Sequence, residues 1–237
     1  MSKWLVQHFI LGGYTVILMA GMIGTGKTTY AEFLSQQLES EIYYESVVDN
    51  PILPDYYKNP KRWAFPLQIY FLNTRFKTIR QARTNPDNVL DRSLYEDLIF
   101  AELNFDSGNM TQLEFDTYKD LLETMMNEID KMPKSRADLL IYLDSDLDTV
   151  LERITQRGRS YEQVDKNPEL LAYYKTLHGK YKEWIKAYDK TPVLIIESKE
   201  YNIFDKQDQD KILSLVNTEL KRLHSLEGEP ALMNETR

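Results

Sequence analysis

GMIGTGKTTY, residues 21–30, carries the spacing Gly21-x-x-x-x-Gly26-Lys27-Thr28, with Gly24 inside it. This is the P-loop pattern. Its glycines let successive backbone N–H groups turn inward around a phosphate, and the following helix adds the positive end of its dipole. The pattern requires a strand before it and a helix after it. Residues 14–20 (YTVILMA) form a short, nearly all-apolar run, and Ala31, Phe33, Leu34 and Leu38 mark a helix over about 28–39. Gly21, Gly24, Gly26, Lys27, Thr28 and Thr29 are therefore the expected phosphate ligands. Lys27 reaches the β- and γ-phosphates of a nucleotide such as ATP, and the Thr28 hydroxyl ligates Mg²⁺.

The pattern continues along the chain. Residues 42–47 (IYYESV), 88–93 (NVLDRS), 138–144 (DLLIYLD) and 192–198 (PVLIIES) read as further short strands, two of them ending on charge. Residues 50–66 hold four prolines and read as loop with short helical turns, and helical periodicity follows from Gln68 to about Thr84. A long helix over 111–132 opens with Thr111-x-x-Glu114 and carries an apolar stripe of Tyr118, Leu121, Leu122, Met125, Met126, Ile129 and Met132. A helix follows the 138–144 strand, and another closes the chain near 206–224. Strands alternating with helices predict an α/β fold in one domain, with a parallel sheet of about five strands covered on both faces.

Composition narrows the partners. A formal charge of −8 over 237 residues argues against a broad nucleic-acid or anionic-membrane surface. Without cysteine there is no disulfide or thiolate chemistry, which suits a cytoplasmic protein. Lys3 and the apolar run after it resemble a signal peptide. Cleavage near Ala20 would remove the strand that feeds the P-loop, however, and Gln7, His8 and Gly12-Gly13 interrupt any membrane span. Residues 1–13 are read as an extension and 226–237 as a frayed tail. A GTPase would carry Asn-Lys-x-Asp to read guanine, and the chain has none. Transfer of phosphate to a small acceptor is the leading reading.

The acceptor chemistry belongs at the carboxyl ends of the strands. Glu45 ends the second strand and Asp91-Arg92 the third, supplying a carboxylate to take a hydroxyl proton and a guanidinium to neutralise developing charge. Around them stand YYESVVDNPIL, YYKNPKRWAFPLQ, DRSLYEDLIF and RITQRGRSYE. With the P-loop, these ordered motifs resemble those of the deoxynucleoside kinases over about residues 15–200, especially the deoxyadenosine/deoxyguanosine kinases of Gram-positive bacteria.

The resemblance implies transfer of the ATP γ-phosphate to the 5′-hydroxyl of a deoxynucleoside, deoxyadenosine first and deoxyguanosine or deoxycytidine next, in nucleotide salvage. Glu45 is then the general base, Arg92 fixes it, and Lys27 completes the catalytic set. Tyr57 and Glu162 hold the sugar 3′-hydroxyl. Gln68 reads the base, beside an Arg75–Asp97 pair that crowds the methyl of thymine. Asp91, where the family often has glutamate, joins Thr28 at Mg²⁺ through water, and Ser46 replaces a proline common in the family. Arg153, Arg157 and Arg159 form an arginine-rich lid that closes on ATP, with Gly158 lending mobility. Arg153 and Arg157 are one helical turn apart and are expected to repel each other in the empty state. A homodimer is implied, with helix 111–132 as candidate interface or, equally, as core against the sheet. Feedback by a deoxynucleoside triphosphate is also implied. Two rival readings remain: a thymidylate-type nucleotide kinase, which needs an added basic cradle for the acceptor phosphate, and a non-catalytic nucleotide-binding regulatory subunit, which predicts loss of the base or lid.

Overall fold

A computed structural model of the chain describes residues 15–45, 50–82, 87–131, 137–165 and 167–227. The expectations for residues 1–13, Tyr14, Ser46, Val47, Thr84 and Met132, and for 228–237 of the tail, fall outside them. Five parallel strands, β1 (Val16–Ala20), β2 (Glu41–Tyr43), β3 (Asn88–Asp91), β4 (Leu139–Asp144) and β5 (Val193–Glu197), form one sheet. Their order is β2-β3-β1-β4-β5. Leu18 of the central strand stands beside Leu90 on one side and Leu140 on the other. The chain leaves β1 towards one edge and β3 towards the other, which opens a crevice at the carboxyl ends of these two neighbours.

Alternation along β1 explains the two covered faces. Ile17 and Met19 point to one side, where Tyr30, Phe33 and Leu34 of α1 (Lys27–Gln37) and Ile212, Val216 and Leu220 of α8 (Lys206–Glu227) bury them. Leu18 and Ala20 point to the other. There they meet α4 (Asp97–Asp106), α6 (Leu147–Arg157) and α7 (Glu169–Ala187) through Ile99, Leu103, Val150, Ile154, Leu177 and Tyr181. Side chains buried on both faces account for strand sequences that read as unbroken apolar runs.

A third cluster is built from helices and the turn before α4. It joins α2 (Leu53–Lys58), α3 (Pro60–Ala82), α4 and α5 (Gln112–Asp130). Tyr118, Leu122 and Ile129 are the buried part of the α5 stripe, joined by Phe115, so this stripe is core, and its partners are α3 and α4 instead of the sheet. The capping box opening α5 forms as the sequence implied, with Thr111 Oγ1 accepting the Glu114 N–H.

Two expectations change. Helix α3 starts at Pro60, eight residues before Gln68, and runs through Pro66. Proline suits a first helical position because its missing N–H would have no intrahelical partner there. Pro66 leaves only the carbonyl of Arg62 without an i+4 donor, and Arg62 is exposed to water. Strand β2 stops at Tyr43, which puts Glu45 two residues beyond its end.

Leu72 of α3 is fully buried in the helical cluster, between Gln68 and Arg75 in sequence. Leu72→Ala is expected to cost about 2–5 kcal/mol by denaturant unfolding. Leu113→Ala, at a residue 77% exposed, is expected to stay within about 0.5 kcal/mol. Equal losses would contradict this packing.

Candidate active site

The loop after β1 has the backbone its glycines predict. Gly21, Gly24 and Gly26 have φ of 139°, 85° and 97°. A Cβ on Gly21 would meet Leu143 O at 2.7 Å, and one on Gly24 would meet Val150 O and Ile154 Cγ1 at 3.0 Å. The loop is thus pressed against β4 and α6, and only glycine fits there. Lys27 Nζ donates to Met22 O at 2.9 Å within the loop. Burial, and then the Arg92 guanidinium, bring its pKa down to about 8, against the opposing pull of Glu96, Asp91 and Glu45.

Strand β3 delivers Asp91 and Arg92 beside this loop. Thr28 Oγ1 donates to Asp91 Oδ2 at 2.5 Å, while Asp91 Oδ1 is buried without a hydrogen-bond partner. Burial is the main reason the Asp91 carboxyl sits above its usual range. A hydroxyl beside a carboxylate with a spare oxygen suits Mg²⁺, which takes one or two protein ligands and fills its octahedron with water and phosphate.

Arg92 has φ of 99°, a conformation that costs a non-glycine residue about 1–3 kcal/mol and concentrates at functional sites. It is held there from several directions. Its Nε lies 2.9 Å from Glu45 Oε1, its Nη1 donates to Tyr181 Oη at 2.6 Å and to Glu96 Oε1 at 3.4 Å, and its guanidinium covers the Phe100 ring. Glu45 Oε1 also accepts from Arg75 Nη2, and Arg75 Nη1 reaches Asp97 Oδ1. Burial pushes the Glu45 carboxyl up, but Arg92, then Arg75, then Lys27 outweigh it and hold the group down at about 2.

One cleft of about 1100 Å³ connects these groups. Gly24, Gly26, Lys27, Thr28, Thr29, Asp91, Arg153, Arg157 and Arg159 line it together with Glu45, Tyr57, Gln68, Arg75, Arg92 and Glu162. Gly21 and Asp97 stand behind the wall: Gly21 at the entry to the loop, Asp97 fully buried against Arg75. Tyr57 packs between the rings of Tyr56 and Tyr161 at 5.4 and 5.0 Å, and burial pushes its hydroxyl well above the ordinary range.

The lid arginines do not oppose each other as expected. Arg153 donates to Thr25 O at 3.0 Å and to Ser198 Oγ and O at 2.8 and 2.9 Å, tying the P-loop to the end of β5. Arg157 and Arg159 both reach Glu162, at 2.5 and 3.4 Å. Arg157 and Arg159 share one carboxylate and Arg153 is held by neutral oxygens, so Arg153 and Arg157 are drawn to different partners.

Glu96 was not singled out from sequence. It is fully buried and accepts the Gly21 N–H at 3.0 Å and Arg92 Nη1 at 3.4 Å on one oxygen, and the Ser93 N–H at 3.4 Å on the other. One carboxylate thereby joins the phosphate loop to the arginine of the acceptor side. The spacing Ser93-x-x-Glu96 was a usable signal, since it marks a capped turn, and a short 3₁₀ turn, Leu94–Glu96, does begin there.

Known proteins resemble this chain over most of its length. The family described as deoxynucleoside kinase matches residues 17–221. A deoxyguanosine kinase of Lactobacillus johnsonii is 45% identical over 91% of this chain and 96% of its own length. A deoxyadenosine kinase of Lactobacillus acidophilus is 39% identical, over 89% and 99% respectively. The structure of deoxyadenosine kinase from M. mycoides with bound dATP superposes with a TM-score of 0.71 at 33% identity, covering 86% of this chain and 100% of that one. A match over most of the chain, relatives of nearly the same length and the shared fold place this chain in the deoxynucleoside kinase family.

Proposed function

We propose that this chain transfers the γ-phosphate of ATP, with Mg²⁺, to the 5′-hydroxyl of a purine deoxynucleoside, deoxyadenosine or deoxyguanosine, for nucleotide salvage. The observation that carries this is the Glu45 carboxylate, held by Arg92 and Arg75 in the cleft that also contains the P-loop. The charges favour a neutral acceptor. Among the described residues, the cations of the acceptor end are Arg75 and Arg92, and both are already compensated by Glu45, Asp97 and Glu96. An acceptor phosphate would need a cation free of such partners, which disfavours the thymidylate-kinase reading. The intact carboxylate and lid arginines likewise disfavour a non-catalytic subunit.

In this reading the P-loop N–H groups and Lys27 hold the β- and γ-phosphates, and Arg153, Arg157 and Arg159 surround them from α6. Thr28 and Asp91 would hold Mg²⁺, which when bound neutralises phosphate charge. Glu45 accepts a hydrogen bond from the 5′-hydroxyl and takes its proton as the new P–O bond forms. The bond from the γ-phosphorus to its bridging oxygen breaks, and ADP leaves. A carboxylate with a pKa near 2 in the empty cleft is a weak base. It suits a loose transition state, in which the nucleophile bonds late and alignment matters more than basicity. Tyr57 and Glu162 receive the sugar 3′-hydroxyl, and Gln68 with the Arg75–Asp97 pair receives the base. The relatives named for deoxyguanosine and deoxyadenosine support a purine substrate. The dATP-bound neighbour supports nucleotide binding in this fold and, with it, feedback by the product's triphosphate. A homodimer belongs to the same reading through the family resemblance.

Glu45→Gln should bind deoxynucleoside with little change in Kd by calorimetry while kcat falls about 10²-fold or more. Unchanged turnover would remove Glu45 from the reaction. Glu96→Gln keeps an acceptor for the Gly21 N–H but loses the charge facing Arg92. It should lower kcat about tenfold or more with KM for ATP little altered, whereas Glu96→Ala should damage both. Identical profiles for the two variants would contradict the linking role. Because Lys27 titrates near pH 8 in the free protein, kcat/KM for Mg·ATP should fall as pH rises through about 8, and a profile flat to about pH 10 would refute that assignment.

A further inference from the structure

Arg75 links the base-reading end of the cleft to the catalytic carboxylate. Its Nη2 donates to Glu45 Oε1 and its Nη1 to Asp97 Oδ1, and its guanidinium lies 4.9 Å from the centre of the Phe71 ring. The side chain is buried and so is Asp97. On this pair of side chains two hydrogen-bonding positions stay open: Arg75 Nε, a donor, and Asp97 Oδ2, an acceptor, both shut off from solvent. Glu45 Oε1 also faces Arg92 Nε at 2.9 Å, so this one oxygen meets both guanidiniums.

We propose that Arg75 is a positioning residue for the general base: one guanidinium grips Asp97 and Glu45 at once, so that a nucleobase docked on Arg75 and Asp97 sets where the Glu45 carboxylate stands. This rests on the reading of Glu45 as the base for the 5′-hydroxyl. A guanidinium is a rigid planar fork, and turning it to suit one carboxylate moves the N–H that serves the other. A base edge with an acceptor beside an N–H donor complements both open positions, and to meet them it has to turn the buried pair towards the cleft that Arg75 lines. Adenine does so with a ring nitrogen and its 6-amino group, and guanine with its 6-oxo group and N1–H. Once those positions are filled, Arg75 is fixed on every side and Glu45 Oε1 is fixed with it, leaving Oε2 for the hydroxyl.

The consequence separates this role from base reading alone. An arginine that only binds the base changes KM. An arginine that transmits base occupancy to Glu45 changes kcat at saturating substrate. The test compares kcat at saturation for the better purine deoxynucleoside substrate and for purine 2′-deoxyriboside, which lacks the exocyclic group facing Asp97. Both are measured in the unmodified protein and in Arg75→Met, with thermal melting alongside. The expected result is a kcat at least about tenfold lower for the analogue in the unmodified protein. In Arg75→Met, kcat should be low for both and the gap should close to about twofold. Equal kcat for the two substrates in the unmodified protein would overturn the proposal without any variant. So would an Arg75→Met that raises only KM, or that preserves the gap. If the unmodified protein phosphorylates no deoxynucleoside, the functional reading itself falls, an outcome distinct from those two.

Discussion

A buried guanidinium has to be paired, and at Arg92 that requirement organises the site. The residue stands at the carboxyl end of β3 in a backbone conformation that few side chains tolerate, with almost no access to water. A charge in that position is costly unless hydrogen-bonded on several sides. Glu45, Glu96 and Tyr181 supply the partners. Each of the two carboxylates has a second task. Glu96 receives the first amide of the P-loop, and Glu45 receives Arg75 from α3. Satisfying one cation therefore fixes the P-loop, the carboxylate proposed as general base and the helix that carries Gln68 and Arg75 relative to one another. This is what transfer between two bound substrates requires.

That arrangement exchanges basicity for alignment. Two guanidiniums and Lys27 draw the Glu45 carboxyl far below its ordinary range. A strong base would need a less cationic setting, which would also weaken the stabilisation of phosphoryl charge. On the proposed mechanism the site resolves the conflict in favour of charge stabilisation, in keeping with a loose transition state. The lid shows a related economy. Glu162 compensates Arg157 and Arg159 while Arg153 is tied to Ser198 and Thr25, so the arginines that would surround ATP are held near the cleft and not splayed into solvent.

Much of this was legible in the sequence because the signals are local. The P-loop spacing, the apolar strand before it and the acid or Asp-Arg at the strand ends are read within a few residues of one another, and the sheet follows from them. What stayed hidden depends on distance. Glu96 meets Gly21 across 75 positions and Arg75 meets Glu45 across 30, and no spacing announces either contact. The early start of α3 was hidden for another reason. Four prolines in residues 50–66 read as breakers, yet Pro60 opens the helix and Pro66 sits where its unpaired carbonyl partner reaches water. The α5 stripe was ambiguous because a periodic apolar face says that something covers it without saying what, and here α3 and α4 do.

In the proposed function this cleft passes phosphate from ATP to a neutral deoxynucleoside. The most direct test is product formation from Mg·ATP with deoxyadenosine, deoxyguanosine, deoxycytidine, thymidine and dTMP, side by side. Strong turnover of deoxyadenosine or deoxyguanosine is expected, with little of thymidine or dTMP. Phosphorylation of dTMP alone would contradict it, and so would silence on all five.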